Sequence, residues 1–165
     1  MCYNVGMQVF VPSHNIFECA RVLDNKRLRN QIFETNGILS IIHNRPKVDG
    51  SPRRGYMNHP AVLQWKHWPG YLSSYNMACI QEMEKRGVVP DAYRLIAESF
   101  ESDELCPTWW GDESVHSTHR SRLLQKNPEH YTQFGWSEQY EEPQSYWWAI
   151  PVNLTEYTLE RRGKS

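Results

Sequence analysis

The stretch Ala20-Arg21-Val22-Leu23-Asp24-Asn25-Lys26-Arg27-Leu28-Arg29 crowds four cations around one carboxylate. Its apolar members belong to two helical stripes. Upstream, Asn15 with Glu18 three residues on forms a helix-start box, and Ile16, Ala20 and Leu23 line one face. Downstream, Leu28, Ile32, Thr35, Leu39 and Ile42 recur at alternating spacings of four and three, the period of a helix laid on a core. Asp24 falls between the stripes and reads as the N-cap of the second helix. The stretch is therefore a charged junction between two helices, and the fold it predicts is all-α.

The rest of the chain extends that reading. Residues 44–55 are a basic loop holding Pro46, Pro52, Arg53 and Arg54. Asn58-His59-Pro60 opens the next helical region with proline at the first position. Trp65, Trp68, Leu72, Tyr75 and Cys79 keep helical spacing toward Arg86, with Pro69 expected to kink or split the run and Gly87 to stop it. A further helix is expected from Asp91 to about Phe100. Cys106-Pro107-Thr108-Trp109-Trp110-Gly111 reads as an aromatic loop, and Asp112 or Ser114 as the cap of a helix running to Lys126, ended by Asn127-Pro128. An aromatic section spans Tyr131 to Trp148. The expectation is one compact helical domain over residues 1–152, a bundle of about five to six helices with a short extended N-terminal segment, followed by a loose tail over residues 153–165.

Composition narrows the function classes. The 165 residues are 39% hydrophobic and 13% aromatic, which argues for a packed fold rather than disorder. The net charge of −1 hides an asymmetry: residues 1–66 carry nine Lys/Arg against four Asp/Glu, and residues 67–165 nine against fifteen. A basic front half suits a polyanion. Cys2, Cys19, Cys79 and Cys106 form no CxxC pair, which disfavours a zinc site or a disulfide framework, and Cys19 and Cys79 fall on apolar helix faces. His116 and His119 are spaced i,i+3, with His59 a conceivable third ligand, yet no acidic partner has metal spacing. Neither a metal nor a cofactor is expected. His116 reads as a phosphate contact and His119 as a partly buried structural residue. Without a signal peptide or an apolar run of about 18 residues, the expected location is the cytoplasm, the host's if the chain is phage-encoded, with no membrane partner.

With these elements placed, the chain resembles the pyrimidine-dimer DNA glycosylase family of the phage endonuclease V type, and most of all a branch of small phage and bacterial proteins grouped with it. The resemblance rests on Ala20–Leu28, on Asn58-His59-Pro60-Ala61-Val62, on His116-Ser117-Thr118-His119-Arg120-Ser121 with Leu123-Leu124, and on Lys126, Pro128-Glu129-His130-Tyr131 and Gln133-Phe134-Gly135-Trp136. It implies an all-α fold that clamps double-stranded DNA, bends it and flips a base. It also implies a nucleophile, the α-amine of the mature N-terminus, assisted by a carboxylate that falls on Asp24. The flanking arginine pair falls near Arg21 and on Arg27, and two phosphate-binding cations fall on Arg122 and Lys126.

The residues fit those roles on physical grounds. An α-amine has a pKa of roughly 8 against about 10.4 for lysine, so more of it is free to attack at neutral pH. A carboxylate stabilises positive charge developing at the sugar C1′. Arg122 and Lys126 lie one turn apart on one helix face and suit neighbouring phosphates. Lys26, Arg29, Arg53, Arg54, His59, His116 and Arg120 are further candidates for nucleic-acid contact, and Trp109 and Trp110 for stacking on a base. Three departures stand out. The carboxylate is aspartate where the glycosylases have glutamate, and Lys26 replaces a proline. The amine, after removal of Met1, would belong to Cys2, whereas the branch most resembled begins near Met7.

The expected function is that of an N-glycosylase on damaged or modified pyrimidines, with abasic-site lyase action through a Schiff base, and the chain is expected to be a monomer. Two alternatives stand beside it: a non-catalytic reader of DNA or modified bases on the same scaffold, and a phage enzyme that modifies DNA bases.

Overall fold

The computed structural model describes residues 7–87, 91–139 and 145–163. It is mostly helical, with helices α1 (Ile16–Val22), α2 (Asn25–Ile42), α3 (Pro60–Trp65), α4 (Pro69–Arg86), α5 (Asp91–Glu98), α6 (Glu113–Lys126) and α7 (Pro128–Tyr131). A short 3-10 turn, Thr132–Phe134, follows α7. Strands β1 (Ser145–Pro151) and β2 (Tyr157–Gly163) then pair antiparallel, with Trp148 opposite Glu160 and Pro151 opposite Tyr157.

Local chemistry places most helix ends. Asn15 accepts from the amides of Phe17 and Glu18 at the start of α1, and the Asp112 carboxylate accepts from Ser114 at the start of α6. Pro69 splits the Trp-rich run: α3 stops after Trp65 and α4 starts at the proline, where its missing N–H costs nothing. Asn127 serves twice, ending α6 and capping α7 through the amide of His130.

The all-α expectation fails at the C-terminal end. Most of the segment expected to be a loose tail forms β2, and β1 anchors the hairpin by burying Trp148 and Ala149 in the core. The Ala149 amide donates to Gln64 Oε1 at 3.2 Å, and the Tyr157 hydroxyl donates to Asp112 Oδ2 at 2.6 Å. The hairpin is thus tied to α3 and to the N-terminal end of α6.

The core collects one face of each long helix around an extended segment, Val9-Phe10-Val11, whose residues are 1%, 6% and 0% exposed. No described strand pairs with this thread, yet a buried backbone must bond its polar groups. Side chains do the work of a sheet neighbour. The Phe10 amide donates to Gln31 Oε1 at 2.7 Å, Gln31 Nε2 donates to Gln8 O at 3.0 Å, and the Tyr75 hydroxyl donates to Phe10 O at 2.7 Å. The Val11 amide donates to His119 Nδ1 at 3.2 Å, and Arg120 Nη1 donates to Pro12 O at 2.8 Å. His116 Nε2 accepts from the Gly111 amide at 3.0 Å, so its proton sits on Nδ1, which donates to Val11 O at 2.7 Å.

Both histidines must be neutral for this. Burial first, then the neighbouring His116, Arg120 and Arg122, push the His119 imidazole down to about 3 from 6.5. Burial also lowers His116, against the opposing effect of its bond to Val11. The unfolded chain takes up a proton on His119 near pH 6.5 and the folded chain does not until about 3, so the stability this residue lends is whole above 6.5 and drains as the pH falls through that window. His119→Asn keeps an acceptor for Val11 and removes the titration. In urea unfolding, the stability advantage of wild type over this variant is expected to shrink by up to about 1.4 kcal/mol per pH unit below neutrality. Glu34, which burial pushes up to about 7, titrates in the opposite sense in both proteins and drops out of the comparison.

Candidate active site

Asp24 sits at the corner where α1 turns into α2. It occupies the N-cap position of α2, yet its side chain makes no capping bond to that helix. The carboxylate is turned elsewhere. Arg27 Nη1 donates to both of its oxygens at 3.2 Å, and the Tyr131 hydroxyl donates to Oδ1. The same hydroxyl accepts from the Asp24 amide at 3.1 Å. Burial alone would raise the Asp24 carboxyl, but the Tyr131 bond, the Arg27 guanidinium and the charge of His130 outweigh it and hold the group below the usual carboxylate range. Burial first and the bond to Asp24 second push the Tyr131 phenol up, so the tyrosine keeps its proton. The result is a fixed anion whose side chain is 13% exposed, beside an arginine at 16%.

The corner is secured from outside. α1 leaves its last carbonyls without intrahelical partners. Arg86, at the end of α4, donates through Nη1 to Leu23 O at 2.6 Å and through Nη2 to Arg21 O at 2.8 Å; Nη1 also reaches Asn25 Oδ1 at 3.1 Å. His130 Nε2 donates to Val22 O at 2.8 Å. Behind the carboxylate stands an aromatic wall. Trp136 stacks on Tyr131 at 5.7 Å and 15°, His130 meets Tyr131 edge-on at 4.7 Å, and Arg21 lies over Phe134 at 5.8 Å. A cleft of about 400 Å³ opens between α1 and α4 and borders on Arg21, but Asp24 does not line it.

The predicted contacts divide. Arg21, Lys26 and Arg29 are exposed on the corner and first turns of α2, although Arg21 is paired with Glu18. Arg27 is half-buried on Asp24. Lys126 is exposed at the end of α6 and Arg122 is half-buried one turn before it, its Nη1 on Gln125. Through Tyr131, the α6–α7 end meets the Asp24 corner across 107 positions of sequence. Arg54 is exposed and Arg53 half-buried in the loop ahead of α3, and His59 caps α3 by accepting from the Ala61 amide at 3.1 Å.

Three expectations are corrected. His116 is 1% exposed and holds the thread, so it meets no phosphate in this fold. Arg120 is engaged by Glu113 and Glu138, which cancel its charge. Trp109 is fully buried, its Nε1 donating to Gln64 O at 3.0 Å, and has no face to offer a base. Trp110 is half-buried against Tyr71 and donates to His14 O at 2.6 Å. Cys2 lies outside the described residues. Tyr131, His130 and Arg86 were not singled out from the sequence. Their partners lie more than sixty positions away, and no local spacing signals them.

The sequence model of the pyrimidine dimer DNA glycosylase family matches residues 7–94, more than half of the chain. The chain belongs to that family, whose substrate is DNA. No curated protein and no solved structure shows significant similarity to it. The matched stretch contains Asp24, Arg27 and Arg86, while Tyr131 and the α6 cations lie beyond it. Among the described residues no helix is long and apolar enough to cross a membrane, and no cluster of His, Cys, Asp and Glu has the form of a metal site.

Removing the Arg86 fork leaves several carbonyls of the corner unmet. Arg86→Met is expected to lower stability by about 2–3 kcal/mol in denaturant unfolding, and Arg86→Lys to recover less than half of that, because an ammonium cannot span the same carbonyls.

Proposed function

We propose that this protein is an N-glycosylase acting on damaged or modified pyrimidines in double-stranded DNA, working as a monomer, with lyase action at the resulting abasic site. The observation that carries this reading is the ionised, clamped Asp24 at a cationic corner inside the family-matched stretch. In the proposed reaction an α-amine forms a bond to C1′ as the glycosidic bond breaks. The base leaves with the electron pair and takes up a proton, and the nitrogen loses one. The C1′–O4′ bond then breaks as the nitrogen lone pair forms the C=N bond, O4′ takes up a proton, and the ring-opened iminium results. Loss of a C2′ proton then expels the 3′ phosphate. Asp24 supplies a fixed negative charge beside the cationic carbon, where electrostatic stabilisation counts most. Arg21, Lys26, Arg29, Arg54, Arg122 and Lys126 hold phosphates on either side, and the flipped nucleotide enters between them. The amine is that of the mature N-terminus, with Cys2 the residue that carries it once Met1 is removed.

The test is borohydride trapping on duplex DNA carrying a pyrimidine dimer or an abasic site, with the N-terminus defined by intact mass. A covalent adduct, lost when the N-terminus is blocked, is the expected result. DNA binding without adduct or strand scission would instead identify a non-catalytic reader. Asp24→Asn is expected to lower single-turnover cleavage at least about 100-fold with binding retained. Lys126→Ala is expected to weaken binding to every sequence and to reduce the slope of log affinity against log salt by about one.

A further inference from the structure

An aspartate at a helix N-cap ordinarily turns its oxygens onto the second or third amide of its own helix, which satisfies one of the orphan donors there. Asp24 forgoes that bond. Its neighbour Tyr131 makes two contacts with it through one oxygen, accepting from the backbone and donating to the side chain. Rotation of the phenol is blocked by Trp136 stacked on one face and by the edge contact of His130. Local rules that fail at one residue while a distant side chain compensates mark functional positions.

We propose that Tyr131 is the positioning residue of the site: its hydroxyl, held between the amide and Oδ1 of Asp24, turns the carboxylate away from the α2 amides and leaves Oδ2 for the reacting sugar. This rests on the reading of Asp24 as the carboxylate at C1′. Among the described residues Oδ2 accepts from Arg27 alone, so it retains capacity for a further partner. The charged and titratable groups that face Asp24 are Arg27 from α2 and His130 and Tyr131 from α7. None of them needs to give up or gain a proton for Asp24 to act as a fixed anion. Tyr131 touches no reacting atom. It acts through the aspartate.

Tyr131→Phe removes the hydroxyl and keeps the ring on Trp136. Asp24 is then released to cap its helix. Hydrogen exchange at the Lys26 and Arg27 amides is expected to slow about fivefold, a change that a loss of packing would drive the other way. Single-turnover cleavage of duplex DNA carrying one pyrimidine dimer is expected to fall roughly 10- to 100-fold, with DNA affinity kept within about twofold. Unchanged exchange at both amides overturns the proposal, as does full cleavage by the variant. Slower exchange with no cleavage by wild type supports the hold of Tyr131 on Asp24 and overturns the glycosylase reading instead. Should Tyr131→Phe fold poorly, difluorotyrosine placed at position 131 keeps every contact and strengthens the donor. The carboxyl carbon resonance of Asp24 is then expected to move at neutral pH, and a stationary resonance overturns the proposal.

Discussion

The rest of the structure depends on how the carbonyls at the end of α1 find donors. α1 is seven residues long and is followed by only two residues before α2 begins. There is no room for a glycine-based stop, and the Leu23 and Asp24 backbones are both extended. Left unmet in a half-buried corner, each carbonyl would cost on the order of 1–3 kcal/mol. The Arg86 fork and the His130 ring supply the missing donors, one from α4 and one from α7. They thereby fix the direction in which α2 departs, and with it the places of Asp24 and Arg27. Stability and site geometry are the same constraint here.

What the sequence disclosed was local. The Asn15 cap, the α1 and α2 stripes, the proline break at 69 and the Asp112 cap are all readable, because each depends on residues within a few positions. The hairpin was hidden. Its second strand, Tyr157-Thr158-Leu159-Glu160-Arg161-Arg162-Gly163, is mostly charged or polar and lacks a continuous apolar face. It is held through Trp148 and Ala149 of the partner strand and through the Tyr157 hydroxyl, which donates to the Asp112 carboxylate at the start of α6. The candidate site was half legible. Asp24 could be found as a carboxylate among cations, but its orientation depends on Tyr131. Trp109 looked available because a Trp pair after a proline suggests a loop, whereas the loop folds inward onto Trp65.

Charge shows the same division between count and use. The front half is formally basic, yet Arg45 stacks on Phe100 at 3.8 Å and bonds Ser99 O at 2.9 Å. Arg27 is absorbed by Asp24, and Arg120 in the acidic half is absorbed by two glutamates. A tally of Lys and Arg therefore overstates the field available to a phosphate backbone. Exposed cations such as Lys26, Arg29 and Arg54 carry more of that field than the clustered ones.

The threaded segment sets an order of events during synthesis. Val11 and Pro12 are secured by His119 and Arg120, more than a hundred positions later. A ribosome adding ~5–20 residues per second needs on the order of 5–20 s to reach them. During that interval the leading residues of the nascent chain have no core to enter. The apolar thread Val9-Phe10-Val11 therefore waits for α6 to be made, so its burial is timed by translation rather than by the local formation of α1 and α2.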